Sequence, residues 1–398
     1  MNDMTSSGHG SGELRDPVAD RVGNVALFAV VPSAQGRLDR LRNIMVEREI
    51  QGLLISDLAN IRYLSGFSGS AALMLVTGDR ALITTDSRYA VQIEEEIDLA
   101  GVSGSMDIAI SSPSNQDGQK HAIVEMVRSS CIDHLALEAD KISWHTKKRW
   151  LEVFQEVKIN IGLQPATGLV EQLRTVKDGM EISLMHHAAA MADAALGKVY
   201  PMLDEHPQEK DFALELDWWM RKLGADDRAF ETIVAAGPNG AKPHAQPSSR
   251  KIENEDAVVV DFGASFMGYC SDMTRTLCGA GKLSGEMAGV YDVVVRSQQA
   301  GIDTLRAGVK CSDVDRACRE VIEDAGYGDK FAHSTGHGVG LYVHESPVLG
   351  TRSEDVLQAG MVVTVEPGIY LPGVGGVRIE DMLVITDDGC ESLTSSPK

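Results

Sequence analysis

The chain is short of positive charge. Its 37 lysines and arginines face 58 aspartates and glutamates, a formal net charge of −21. A surface that negative repels phosphate backbones, so no nucleic-acid partner is expected. It also disfavours anionic membrane surfaces. Long apolar runs are missing too: stretches such as 25–32 and 257–260 fall far short of the roughly 20 residues that cross a bilayer. No membrane partner is expected. The N-terminus lacks a basic leader with an apolar core and a small-residue cleavage site, and residues 13–20 are polar and acidic instead. Secretion is therefore not expected, and the cytoplasm is the default location. Cysteines are few: Cys131, Cys270, Cys278, Cys311, Cys318 and Cys390. None forms a C-x-x-C pair, which argues against a zinc ribbon or a dithiol redox site. They read as free thiols, because a chain of this size needs no disulfide staples.

What is present suits a globular protein: 43% hydrophobic and 24% charged residues. A length of 398 residues suggests two domains. Residues 1–34 read as an extension. Within it, 1–12 is rich in Gly and Ser and is expected to be disordered, while 25–31 suits either an added strand or a mobile arm. Residues 35–164 alternate helical and strand patterns. Leu38, Leu41, Ile44 and Met45 repeat at helical spacing in 37–49. A short strand follows at 52–56, then a strand pair at 71–76 and 80–84. Helices are predicted at 87–96, 121–128 and 143–154, the last capped by Ser143, with a strand at 134–138. This alternation predicts an α/β layer domain. Few titratable residues cluster in it, so it is expected to cover a site or join subunits rather than supply chemistry. The domain join is placed at 160–167.

Residues 165–398 form the second predicted domain, of α+β class. Helices are predicted at 177–199, 208–223, 287–306 and 312–325, with Ser312 as an N-cap and Gly224 and Gly326 just past helix ends. Strands are predicted at 257–262, 361–365 and 377–385. A short internal repeat stands out. Asp256-Ala-Val-Val-Val-Asp261-Phe-Gly263 matches Gly360-Met-Val-Val-Thr-Val-Glu366-Pro-Gly368. Each is an apolar strand closed by a carboxylate and followed by Gly. A second strand with a second carboxylate follows each, bringing Asp272 and Glu380. Two matched halves that each deliver two acids suggest a pseudo-twofold site at their junction.

A carboxylate at the end of an apolar strand is costly to bury unpaired. It needs a cation, a salt bridge or open solvent. Four such acids together need several positive charges, and the region offers Arg275 and Arg378 but few others. Two divalent metals would supply about four positive charges and let the acids meet. Three of the 11 histidines fall in one Gly-rich stretch, His333-Ser-Thr-Gly-His337-Gly-Val-Gly-Leu-Tyr-Val-His344-Glu-Ser-Pro347. Its glycines permit unusual backbone angles and close approach of a ligand. His244 lies between Pro243 and Pro247. An acid-rich site with an imidazole favours manganese or cobalt, with zinc and iron left open. Paired metals of this kind activate a water for hydrolysis.

In order and spacing, Asp261, Asp272, His337, Glu366 and Glu380 resemble the ligands of the pita-bread metallopeptidases, the family of methionine aminopeptidase, aminopeptidase P and prolidase. The stretch 333–347 is similar to the pattern H-x-x-G-H-G-x-G-x-x-x-H-E-x-P of the Xaa-Pro branch, and 230–240 and 268–276 resemble the corresponding stretches of its bacterial members. Residues 60–69 and 85–89 resemble its creatinase-type N-terminal domain. The resemblance runs from about residue 35 to the C-terminus and leaves 1–34 without a counterpart. It implies a creatinase-like α/β domain followed by a pita-bread domain with pseudo-twofold halves, and two divalent ions per subunit, Mn2+ above all, with Co2+ or Zn2+ as alternatives. It implies that Asp261, Asp272 and Glu380 bind one ion and that Asp272, His337, Glu366 and Glu380 bind the other. Glu366 would pass a proton to the leaving nitrogen, His244 and His344 would steady the intermediate, and His333 would relay protons or contact substrate. Arg378 would orient a carboxylate, of Asp261 or of the substrate. The implied partner is a small peptide with an Xaa-Pro bond, a tertiary amide that lacks the N–H most proteases grip. The implied assembly is a homodimer.

The resemblance leaves a dipeptidase (prolidase) and an aminopeptidase P as readings, the first preferred. Creatinase, a metal-free enzyme on the same fold, lacks the five-ligand set, and methionine aminopeptidase lacks such an N-terminal domain. An inactive binding module would be expected to have substituted ligands, and none is substituted here.

Overall fold

A computed structural model describes residues 34–112, 118–279 and 281–398. The expectations for 1–12, 13–20 and 25–31 lie outside the described residues. In the first domain, β1 (Gly52–Ile55), β2 (Leu73–Thr77), β3 (Ala81–Asp86), β4 (Asp107–Ser111), β5 (His134–Glu138) and β6 (Gly162–Ala166) form one sheet. Its order is β4-β3-β2-β1-β5-β6. The inner pairs β1–β2 and β2–β3 are antiparallel, and β3–β4, β1–β5 and β5–β6 are parallel.

Side chains of a strand alternate between faces, and here both faces are covered. Leu53, Ile55, Met74, Val76 and Ile83 pack with Leu38, Leu41, Ile93 and Ile97 of the helices Ala34–Glu47 and Ala90–Leu99. Leu54, Leu75, Leu82, Leu135 and Leu137 pack on the other side with Ile123, Val127, Trp150 and Phe154 of the helices Gly118–Ser130 and Trp144–Glu156. Ser143 caps the latter by accepting from the Thr146 amide, as predicted.

Two expectations need correction. The predicted join at 160–167 is strand β6, so the boundary at 164 falls inside a strand, and Leu169 and Val170 beyond it still pack in the first core. Ser312 is not a cap. The helix Cys311–Asp324 begins one residue earlier, and the Cys311 amide donates to the Asp355 carbonyl, a partner that replaces a side-chain cap.

The second domain is built from two halves. The helices Gly179–Val199 and Glu209–Lys222 pack on the strands Ile233–Ala236, Ala257–Phe262 and Met273–Cys278. The helices Gly285–Thr304 and Cys311–Asp324 cover the strands Gly336–Gly338, Glu345–Leu349, Val362–Val365, Asp381–Ile385 and Cys390–Ser392. The halves are stitched together at the strand ends that carry the acids. The Glu380 amide donates to the Thr274 carbonyl at 3.0 Å, and the Thr276 hydroxyl donates to the Arg378 carbonyl at 2.8 Å. Among the described residues, no helix is long and apolar enough to cross a membrane.

Asp178 joins the two domains. Its carboxylate accepts from the Met180 and Glu181 amides to cap the helix Gly179–Val199, and it accepts from Arg37 of the first domain at 2.8 Å. Replacing it with alanine is expected to lower stability by about 1 kcal/mol or more, since the cap and the inter-domain bond are lost together. Urea denaturation followed by circular dichroism reads this directly.

Candidate metal centre

The four candidate acids sit at or beside strand ends facing the seam. Asp261 is the penultimate residue of Ala257–Phe262, and Asp272 immediately precedes Met273–Cys278. Glu366 follows Val362–Val365, Glu380 precedes Asp381–Ile385, and His337 is central in Gly336–Gly338. The internal repeat thus becomes a geometric one: Asp261 and Glu366 end matching strands, and Asp272 and Glu380 begin their partners. All five line one cleft of about 720 Å³, together with His244, His333, His344 and Arg378. Every site residue predicted from the sequence is in it.

Ligand atoms of Asp272, His337 and Glu380 lie within 4.8 Å of one another. His337 Nε2 is 3.4 Å from Glu366 Oε1 and 3.6 Å from Asp272 Oδ2. Its Nδ1 is 3.1 Å from the Gly338 carbonyl. A carbonyl only accepts, so Nδ1 carries the hydrogen and Nε2 presents a bare lone pair. Burial lowers the imidazole pKa to about 4, which keeps the ring neutral. A lone pair aimed at two carboxylates is repulsive unless a cation or a proton lies between them.

The acids give the same answer. Burial, then the Glu380, Asp261 and Glu366 charges, push the Asp272 carboxyl well above its usual range. Burial and then Glu380 push Glu366 up likewise. Burial and then Asp261 raise Glu380 to about 8. Asp261 Oδ2 accepts from Arg378 Nη2 at 2.6 Å, while its buried Oδ1 has no partner among the described residues. Arg275, the second arginine close to these acids in the sequence, turns away. It pairs with Asp381 at 2.7 Å and donates to the Ser396 carbonyl. Crowded buried oxygens, an orphaned acceptor and a bare imidazole nitrogen make a donor set that fits divalent cations.

A ring of hydrogen bonds supports this set. His333 donates from Nδ1 to the Ser334 carbonyl at 2.8 Å, so its Nε2 accepts from the Tyr370 hydroxyl at 2.8 Å. The Tyr370 oxygen accepts from Arg378 Nη1 at 2.9 Å. A chain thus runs from His333 through Tyr370 and Arg378 to Asp261. The Thr274 hydroxyl donates to Glu380 Oε2 at 2.7 Å. The His344 ring lies 4.4 Å from that of His337, centroid to centroid. Tyr370 and Thr274 escaped the sequence reading. The register that pairs Gly368 with Arg378 is what brings Tyr370 into the site.

The glycines of the histidine stretch have a different purpose from the one expected. Gly336, Gly338 and Gly340 do not occupy the left-handed region. A Cβ at Gly336 would lie 2.0 Å from the Thr364 carbonyl oxygen, and one at Gly338 would lie 2.2 Å from that of Ser346. Gly336 and Gly338 are small because neighbouring backbone passes so close. The first domain also does more than cover the site: Lys141, Glu171 and Arg174 reach the cleft wall.

Residues 183–387 match metallopeptidase family M24, and residues 37–176 match the creatinase/prolidase N-terminal domain. The chain is 32% identical over 363 residues to the Xaa-Pro dipeptidase of Pyrococcus furiosus, covering 91% of this chain and 98% of that one. Among solved structures, the Xaa-Pro dipeptidase from Bacillus anthracis superposes with a TM-score of 0.85 at 37% identity, covering 92% of this chain and 98% of that one. The X-Pro aminopeptidase from Thermotoga maritima does so with a TM-score of 0.79 at 35% identity, covering 88% and 97%. Likeness over this much of both chains, joined to a seam of crowded acids that fits divalent cations, places the chain in metallopeptidase family M24, as a peptidase dependent on divalent metal ions and carrying a creatinase/prolidase N-terminal domain.

Proposed function

We propose that this metallopeptidase is an Xaa-Pro dipeptidase that holds two divalent ions, manganese by preference. Asp261, Asp272 and Glu380 hold one ion, and Asp272, His337, Glu366 and Glu380 hold the other. The observation that carries the reading is the convergence of these five side chains with His244, His333 and His344 in a single cleft. The Xaa-Pro dipeptidases among its relatives point to the substrate.

Bound ions would supply an activated water and the charge that polarises the scissile carbonyl. The protein's own groups do the rest. Glu366 takes the proton of the attacking water and passes it to the leaving proline nitrogen. His244 and His344 donate to the developing oxyanion from the cleft wall. Arg378 holds Asp261 in orientation, and His333 with Tyr370 holds Arg378. Phe230, Ile233, Val343 and Val348 give the cleft an apolar side suited to a pyrrolidine ring. A cytoplasmic homodimer acting on small peptides completes the proposal and rests on the resemblance to the Xaa-Pro branch.

An Xaa-Pro aminopeptidase is the second reading. Likeness to the Thermotoga maritima enzyme favours it, as does a cleft of about 720 Å³, large for a dipeptide alone. Proline release from Ala-Pro and cleavage of Ala-Pro-Ala separate the two, using metal-stripped protein reloaded with manganese, cobalt or zinc. Cleavage of Ala-Pro only, best with manganese, is the expected result. Equal or faster cleavage of the tripeptide would favour the aminopeptidase. Cleavage of neither by any metal-loaded form would remove the Xaa-Pro assignment and leave a metallopeptidase of other specificity.

A further inference from the structure

The segment that carries His344 has little backbone support. Residues 341–344 are successive bends between the short strands Gly336–Gly338 and Glu345–Leu349. Its anchors are side chains, and most of them reach across from the first domain. The Glu345 carboxylate closes the turn from inside by accepting from the Tyr342 amide at 2.9 Å. The same carboxylate pairs with Arg174, and with Lys177 at 3.4 Å. All three side chains are nearly inaccessible to solvent. Arg174 is itself held: its Nη1 donates to Asn60 Oδ1 at 2.7 Å, and Asn60 Nδ2 donates to Glu138 Oε1 at 2.7 Å.

Tyr342 makes the second anchor. Its hydroxyl lies 2.9 and 3.0 Å from the two oxygens of Asp57, the residue that caps the helix Leu58–Ser65 in the first domain. Its ring is flanked by the Arg174 guanidinium at 5.0 Å and the Lys141 ammonium at 4.8 Å, within reach of a cation–π attraction. Gly340 completes the arrangement: a Cβ there would lie 2.6 Å from Glu345 Oε2. His344 stands between the two anchors, with its ring against that of His337.

Buried ion pairs of this kind add little net stability, because desolvation offsets attraction. What they impose is one geometry, since a loop that drifts leaves a charge buried without its partner. We propose that Tyr342 and Glu345, gripped by Asp57 and Arg174 of the first domain and by Lys177 at the join, are positioning residues that set His344 for the reaction. The N-terminal domain is then a working part of the active site of its own chain. This inference rests on the role given to His344 above.

Two variants test it in the metal-loaded, full-length protein. Tyr342→Phe keeps the ring and removes only the bond to Asp57. Glu345→Gln keeps the shape and the acceptor for the Tyr342 amide but removes the charge. Each is expected to lower kcat about tenfold or more, because a misplacement of about 1 Å can cost about 10²-fold. KM should stay within about twofold, since a group acting in the transition state leaves ground-state binding alone. Bound metal per chain should be unchanged, and the double variant should lose less than the product of the single losses. The ring resonance of His344 in a histidine-labelled sample should move in both variants, while that of His206, which lies outside the cleft and bonds the Ile252 carbonyl, should not. An unchanged kcat and His344 resonance in Tyr342→Phe would overturn the proposal. So would a loss confined to KM, or one matched by loss of metal. The resonance needs no substrate, so a wild-type protein inactive on Xaa-Pro peptides would count against the function reading while the anchoring is judged separately.

Discussion

Asp272→Asn is expected to empty the metal centre and to lower kcat/KM by more than about 10²-fold, since loss of a mere supporting partner of a ligand already costs about 10–100-fold. Asp272 lies 3.6 Å from His337 Nε2, in the middle of the candidate ligands. It shares the cluster with His337 and Glu380, and it feels Glu380, Asp261 and Glu366 once burial has removed water. An asparagine carries no charge to balance a cation. Metal content by elemental analysis and kcat/KM on Ala-Pro are the two readings.

A third reading has the opposite sign. In the metal-free protein, burial and the neighbouring acids hold the Asp272 carboxyl well above its unfolded value, so folding works against its ionised form. Asparagine removes that cost. Metal-free Asp272→Asn should therefore melt higher than metal-free wild type, while metal-loaded wild type melts higher than both. A variant that keeps full metal and full activity would exclude Asp272 from the ligand set.

The pH dependence of stability should change character when metal is removed. Glu380 rises from 4.5 to about 8 on folding, and Asp272 and Glu366 shift the same way. A carboxyl whose folded pKa is raised contributes stability that is fully present below its unfolded pKa and is lost as pH rises through the folded one. With chelator present, the melting temperature should fall between about pH 5 and pH 8. Bound cations favour the ionised acids and compete with protons, so the loaded protein should gain over the stripped one as pH rises.

Asp381, next to Glu380, works in another window. Burial alone would raise its pKa, but Arg275 and Lys398 outweigh burial and hold it at about 2. Its contribution is present above its unfolded value of 3.8 and is lost only in stronger acid, as pH falls toward 2. Thermal melts with chelator or with manganese at several pH values read the difference. A gap between loaded and stripped melting temperatures that stays constant with pH would contradict the ligand assignment.

Some of this could be read without coordinates. A carboxylate closing a run of valines contradicts burial unless something balances it, so Asp261 and Glu366 announced themselves, and the matching frames brought in Asp272 and Glu380. The histidines betrayed the third side of the site by crowding into a stretch of glycines. These signals are local, a charge or a ring where the pattern around it forbids one.

Other features carried no such mark. Strand β6 reads as a linker because Gly162-Leu-Gln-Pro-Ala166 is weakly apolar and holds a proline, which only an edge strand tolerates. Arg275 looked like a counter-ion to the acids. Strand alternation sends it to the opposite side from Thr274 and Thr276, toward Asp381 and the C-terminal residues.

The sequence by itself determined the two-domain α/β and α+β classes, the paired carboxylates and the imidazole that makes them a metal site. Only the tertiary structure decided that Tyr370 bridges His333 to Arg378, that Thr274 steadies Glu380, and that Asp57 and Arg174 of the first domain hold the loop of His344. A tyrosine, a threonine, an aspartate or an arginine is unremarkable at its own position. Each becomes functional through a partner between 8 and 285 residues away along the chain, and that pairing exists only once strand register and domain packing have closed the distance.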